Sequence, residues 1–137
     1  MFLGEDIHAL DAKGRIVLPS RYRAQLEEGC VLAPGRDGQL EIYRLEVYAK
    51  KAQEIADAAV NRAGRQFARS AFRMADHQVL DKSGRINLRT EHVDWASLES
   101  EVTILGAFDH IELWNPASYA ADLANDRYRD DEEDDTD

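Results

Sequence analysis

Two arginines stand where they can read a charged or hydrogen-bonding partner. Arg15 closes the stretch Leu10-Asp11-Ala12-Lys13-Gly14-Arg15-Ile16-Val17-Leu18, and Arg85 stands at the same place in Leu80-Asp81-Lys82-Ser83-Gly84-Arg85-Ile86-Asn87-Leu88. The second stretch follows the first at an offset of 70 residues, and six of its nine positions are identical. In each, an Asp opens a tight turn by accepting bonds from the backbone two residues on, and a Gly supplies the left-handed conformation. A turn of this kind projects side chains from a rigid base. Lys13 and Lys82 suit phosphate. Arg15 and Arg85 can present a planar fork to guanine O6 and N7, a contact worth about 1–3 kcal/mol of discrimination. Gly14 keeps the tip narrow, and a two-stranded ribbon fits the major groove. The residues alone leave a second reading open, in which each Arg pairs with its own Asp and braces the turn. An exposed ion pair is worth little, and both readings hold together if Asp orients Arg without neutralising it fully.

An internal repeat sets the fold before anything else does. Ile7–Leu10 reads as a strand, Asp11–Gly14 as the turn, and Arg15–Leu18 as the returning strand. Pro19 ends the ladder and opens a short helix over Ser20–Leu26 that carries Arg21 and Arg23, two further candidate DNA contacts. Cys30–Ala33 and Gln39–Tyr43 read as a hairpin, and a helix follows over about 45–60. The second half repeats this with strands at His77–Leu80, Arg85–Leu88, Glu101–Leu105 and His110–Trp114. Asn115 and Pro116 then open a last helix running to about Asn125. Leu40-Glu41-Ile42-Tyr43 matches Ile111-Glu112-Leu113-Trp114 at an offset of 71. Glu41 and Glu112 are expected on a solvated or inter-subunit face. The expected fold is mostly β with peripheral helices, an α+β chain in two quasi-equivalent copies. The expected division is 1–60 for the first repeat, 61–75 for a basic helical connection, 76–126 for the second repeat and 127–137 for a disordered acidic tail. In the connection, Arg62, Arg65, Arg69 and Arg73 share one helix face, and Phe67 and Phe72 are candidate anchors.

Charge needs to be read by region. The chain of 137 residues carries a net charge of −10, which by itself argues against a nucleic-acid binder. Seven acids fall within the last eight residues, and without them the net charge is −3. The bases cluster: no acid stands between Ala12 and Gln25, which holds Lys13, Arg15, Arg21 and Arg23. The apolar content of 44% suffices for one core. Halves of this size are marginal alone, so the two should share it.

Other chemistries find no support. The lone Cys30 reads as a buried side chain, without a disulfide framework. His8, His77, His92 and His110 lack metal-ligand spacing. There is no phosphate loop or nucleophile elbow, so neither an enzyme nor a cofactor is expected. The start of the chain turns acidic too early for export, and no apolar run approaches a membrane span. The expected location is cytoplasmic.

The paired Asp-x-x-x-Arg turns at Asp11–Arg15 and Asp81–Arg85 resemble the signature of the MraZ family of bacterial transcriptional regulators. Further likeness lies in Met1-Phe2-Leu3-Gly4, in Leu18-Pro19 with Arg21-Tyr22-Arg23, in Leu40–Tyr43, and in Gly106-Ala107 leading to Ile111–Pro116. The resemblance covers residues 1 to about 120. It implies an AbrB-like swapped-hairpin, double-split β-barrel, in which one chain mimics a dimer of simpler chains. It also implies ring-shaped homo-oligomers that bind short direct repeats in double-stranded DNA upstream of the cell-division and cell-wall gene cluster, as a repressor associated with the nucleoid. It places the essential DNA contact at Arg15, with Arg85 as its repeat counterpart. The second copy departs from the family pattern, with Arg89 where the first has Pro19 and Ser83 where the first has Lys13. The alternative is an AbrB-fold protein-interaction module of antitoxin type, suggested by the acidic C-terminal segment.

Overall fold

The structure is a computed structural model that describes residues 1–125. The acidic tail expected from residue 127 lies outside the described residues. The first half holds β1 (Glu5–Ala9), β2 (Arg15–Val17), α1 (Ser20–Arg23) with a 3-10 turn at Ala24–Leu26, β3 (Cys30–Pro34), β4 (Leu40–Arg44) and α2 (Leu45–Asp57). After α3 (Arg62–Met74) the second half gives β5 (Asp76–Gln78), β6 (Arg85–Asn87), α4 (Thr90–Trp95), β7 (Glu101–Gly106) and β8 (His110–Trp114). A fifth helix, α5, covers residues 116–125. None of the described helices is long and apolar enough to cross a membrane.

The strands do not pair as local hairpins around the Asp–Arg turns. The order in the six-stranded antiparallel sheet is β1-β7-β8-β4-β3-β5, and β2 pairs with β6 in a separate two-stranded sheet. The first strand of each half therefore joins the other half: β1 lies on β7, and β5 on β3. Leu10 and Ile16 form only an isolated bridge, so the expected return of Arg15–Leu18 onto the preceding strand is replaced by β2–β6 pairing. The physical reason lies in burial. Ile16 and Ile86 sit directly opposite each other and are 0% and 2% exposed, so each half covers the other's isoleucine. This exchange is the swapped-hairpin arrangement that the resemblance implied.

Two pairings lie on one pseudo-twofold relation. Ile16 faces Ile86, its mate at an offset of 70, and Glu41 faces Glu112, its mate at 71. A single core connects both halves, from Phe2, Ile16, Leu18 and Tyr22 to Ile86, Leu88, Ile104 and Leu113. The repeat mate of Tyr22 is His92, and it too is wholly buried, with Nε2 2.7 Å from the Met74 carbonyl. Cys30 is buried as expected, and burial pushes its thiol up to about 11.

Side chains alternate across β4 and β8. Leu40, Ile42, Ile111 and Leu113 enter the core, so Glu41, Tyr43, His110, Glu112 and Trp114 take the other face. Of the solvated or inter-subunit face expected for the two glutamates, the solvated alternative does not hold, because helices of the same chain pack over it. Tyr48 of α2 packs edge-on against Tyr43 at 5.9 Å, and Tyr119 of α5 meets Trp114 at 5.7 Å. Opposed carboxylates repel, and His110 offsets the repulsion. Its Nε2 lies 2.8 Å from Glu112 and 3.4 Å from Glu41. Burial disfavours its charged form, but hydrogen bonds to Glu112 and Asp109 and the charge of Glu41 outweigh this and raise its pKa to about 9.

Helix α3 is held differently from its expected anchoring. Asn61 caps it, its Oδ1 accepting from the Gly64 N–H at 2.8 Å. Gly64 is required there, because a Cβ would lie 2.6 Å from the Ala58 carbonyl. Ala68 and Met74 are buried, whereas Phe67 and Phe72 are 55% and 41% exposed. Gly64 and Ala71 are half-buried on the same side as Ala68, so small residues form the inward face of the helix. The four arginines of the connection are all exposed.

Because the halves share one core, unfolding should occur in one transition. Ile86→Ala removes the partner of Ile16, and a buried Ile→Ala change costs about 2–5 kcal/mol. Urea unfolding followed by circular dichroism should show that loss with a single transition retained. Two separate transitions in the parent would contradict the shared core.

Candidate nucleic-acid interface

The two Asp–Arg turns are built alike, bond for bond. Asp11 Oδ1 accepts from the backbone N–H groups of Lys13 at 2.9 Å and Arg15 at 2.8 Å, and Oδ2 accepts from Arg15 Nε at 2.8 Å. Asp81 does the same with Ser83 at 2.9 Å, Arg85 N at 2.9 Å and Arg85 Nε at 2.7 Å. The Gly14 and Gly84 N–H groups close the turns onto the Asp11 and Asp81 carbonyls at 3.1 and 2.9 Å. Both glycines are left-handed, with φ of 78° and 75°. A Cβ on Gly14 would also stand 2.7 Å from the Leu88 carbonyl.

This geometry lets bracing and reading coexist. Of each guanidinium the Asp takes only Nε, and among the described residues no hydrogen bond engages the terminal nitrogens of either group. The side chains remain about one-third exposed. The Asp thus fixes the plane of the fork while its outer edge stays available for a bidentate contact.

The β2–β6 pairing joins the turns into one surface. The Leu88 N–H donates to the Gly14 carbonyl at 2.7 Å, and the Leu18 N–H donates to the Gly84 carbonyl at 3.0 Å. A shallow groove of about 470 Å³ runs beside them, and Lys13, Arg15, Arg85 and Arg89 all line it together with the carboxylates of Asp76 and Asp81. The sequence marks Arg89 only by its place, where the repeat has Pro19, and the structure brings it to the groove.

The other candidate residues separate. Lys82 is exposed on the second turn but does not line the groove. Arg23 lies over the second turn, its Nε donating to the Leu18 carbonyl at 3.0 Å, and a Cβ on Gly84 would collide with it. Arg21 does not line the groove. It pairs with Asp6, donates to the Tyr22 hydroxyl at 3.0 Å, and reaches the Leu3 carbonyl at 3.3 Å. It fastens the N-terminal segment, a role hidden in the sequence because Asp6 lies 15 residues back.

Two intertwined copies of one β unit, carrying paired Asp–Arg turns, define an α+β chain of the AbrB-like class. Comparison with known proteins narrows the class. The family described as "MraZ protein, putative antitoxin-like" matches residues 1–69 and again residues 71–137. The chain is 37% identical over 121 residues to a protein of Corynebacterium jeikeium named "Transcriptional regulator MraZ", covering 88% of this chain and 85% of that one. A protein of the same name from Nocardioides sp. is 37% identical over 119 residues, covering 86% and 83%. Another from Corynebacterium diphtheriae is 37% identical over 122 residues, covering 88% and 85%. The chain belongs to the MraZ family.

The turns make a pH prediction. The Arg15 backbone N–H is the largest cause holding the Asp11 carboxyl below its usual range, with the Arg15 side chain and the Lys13 N–H adding to it against the cost of burial. Asp81 is lowered by the same set from Arg85 and Ser83. A carboxyl whose folded pKa lies below its unfolded value stabilises fully above the unfolded value, and the stabilisation is lost as pH falls through the folded one. Carbon-detected NMR titration should therefore find both carboxyls titrating below 3.8. In Arg15→Ala the backbone bond survives, so Asp11 should stay lowered. A full return to the ordinary value would show that the guanidinium, not the turn, dominates.

Proposed function

We propose that this chain is a sequence-specific DNA-binding transcriptional regulator that acts as a repressor. In this reading it binds short direct repeats upstream of the cell-division and cell-wall gene cluster, as a ring-shaped homo-oligomer associated with the nucleoid in the cytoplasm. The carrying observation is the pair of Asp-oriented guanidinium groups, Arg15 and Arg85, which line one groove and whose terminal nitrogens make no hydrogen bond among the described residues. The names of the relatives support the regulatory role. The target, the ring and the sign of regulation rest on the family resemblance.

The chemistry divides between the residues. Arg15 and Arg85 read base edges, while Lys13, Lys82, Arg23 and Arg89 neutralise phosphate, and Gly14 lets the ribbon approach. Residues 1–60 and 76–126 act as two repeats around the basic connection 61–75, with 127–137 as an acidic tail. A chain with two quasi-equivalent halves can meet its neighbours head to tail and close a ring. Adjacent subunits would then face direct repeats spaced about 10–10.5 base pairs apart. Linked weak contacts gain affinity through their effective concentration.

The test is a footprint of the protein on DNA upstream of its own gene. The parent should protect a set of short repeats, with affinity falling steeply as salt rises. Arg15→Ala should weaken binding roughly 5–150-fold, the equivalent of about 1–3 kcal/mol for one bidentate contact. Arg21→Ala should lower stability and leave the footprint pattern in place. Equal binding by Arg15→Ala and the parent would refute the reading. Absent DNA protection, with a stoichiometric basic protein partner instead, would favour the interaction module.

A further inference from the structure

The outer face of the β4–β8 seam carries a cluster that DNA binding does not use. At its centre Glu41 and Glu112 face each other on the pseudo-twofold relation. Gln39 and His110 are repeat mates at the same offset of 71, as are Tyr43 and Trp114. The two halves thus bring two carboxylates to one point, and only the second half adds an imidazole.

Three donor atoms converge there. His110 Nε2 lies 2.8 Å from Glu112 Oε2 and 3.4 Å from Glu41 Oε2, and one ligand atom from each residue lies within 4.8 Å of the others. Around a tetrahedral zinc ion with bonds of about 2.0–2.2 Å, donor atoms stand roughly 3.3 Å apart. The cluster already has that spacing to within small side-chain adjustments.

The atoms that would not bind the ion are each held by another group. His110 Nδ1 lies 2.7 Å from Asp109 Oδ1, the carboxylate–histidine contact that fixes a metal-binding imidazole. Glu41 Oε1 accepts from the Tyr43 hydroxyl at 2.8 Å, and Glu112 Oε1 accepts from Trp114 Nε1 at 3.0 Å. Each carboxylate is therefore anchored by one oxygen and offers the other to the common point. Gln39 Nε2 makes long contacts of 3.3 Å to both Glu41 Oε2 and Glu112 Oε2, which a second lone pair on each oxygen can keep. An ordinary ion pair needs one carboxylate and no such shell.

We propose that Glu41, His110 and Glu112 form a binding site for a divalent transition-metal ion of the zinc type. Two carboxylates and a neutral imidazole balance the charge of such an ion. The proton between His110 and the glutamates leaves to solvent as the ion enters. The three side chains are 12–17% exposed, which leaves the fourth position to water. The ion ties β4 to β8, the central seam between the halves, and works as a structural clamp.

The test uses the full-length chain, stripped with a chelator and titrated with zinc by calorimetry. The expected result is one ion per chain, with a rise in melting temperature that grows with zinc concentration. Cobalt in place of zinc should give the intense visible bands of a four-coordinate site. Glu112→Gln and His110→Gln should each abolish the stoichiometric site while the acidic tail is still present. Asp109→Asn changes an exposed turn residue and guards against misfolding of the other variants. It should weaken binding about 10–100-fold with the unfolding transition preserved. No saturable binding at micromolar zinc, or one-to-one binding that survives both His110→Gln and Glu112→Gln, would overturn the proposal.

Discussion

Ile16 lies directly opposite Ile86 where β2 pairs antiparallel with β6, and the rest of the molecule depends on that pairing. Each of these strands is only three residues long and, among the described residues, has one strand partner, its own repeat mate. Neither half can bury its isoleucine alone. Pairing the mates hides both, places the two turns side by side, and frees the first strand of each half to join the other half's sheet. The shared core follows from this exchange, and so does the groove in which residues 70 positions apart stand together.

Electrostatics then sets what the surface can do. The chain as a whole is acidic, yet four cations and two carboxylates line the groove. Asp11 and Asp81 spend themselves largely on backbone N–H groups, so they orient their arginines more than they cancel them. On the opposite side of the logic, Glu41 and Glu112 face each other across the seam, and His110 settles the repulsion. The repeat creates both situations. A doubled turn gives two Asp-oriented guanidinium groups, and a doubled strand gives two carboxylates at one point.

Much of this was legible in the sequence, for definite reasons. The Asp and Gly of each turn act through their own backbone neighbours, so their spacing reveals the turn and the left-handed glycine. The alternation along β4 and β8 likewise gave the strands. What spacing does not carry is the partner of a strand, and so the expected hairpins at Arg15–Leu18 and Arg85–Leu88 became a pairing between halves. Arg21 reads as a DNA contact in the sequence because its partner Asp6 belongs to another element and spacing does not show the pair. Phe67 and Phe72 looked like anchors because apolar character is easy to see, whereas the close approach allowed by Gly64 is a matter of missing atoms. The sequence leaves Glu41 and Glu112 on a solvated or inter-subunit face because only the tertiary structure brings Tyr48 and Tyr119 over that face.

The central claim is that the two turns form one reading surface through β2–β6. The most direct measurement is the affinity of Arg15→Ala, Arg85→Ala and the parent for the same promoter DNA across a range of salt. The account predicts that both substitutions weaken binding by at least about fivefold, the low end of one bidentate contact. Arg85→Ala binding as tightly as the parent, with Arg15→Ala alone impaired, would contradict it and leave the second turn as scaffolding.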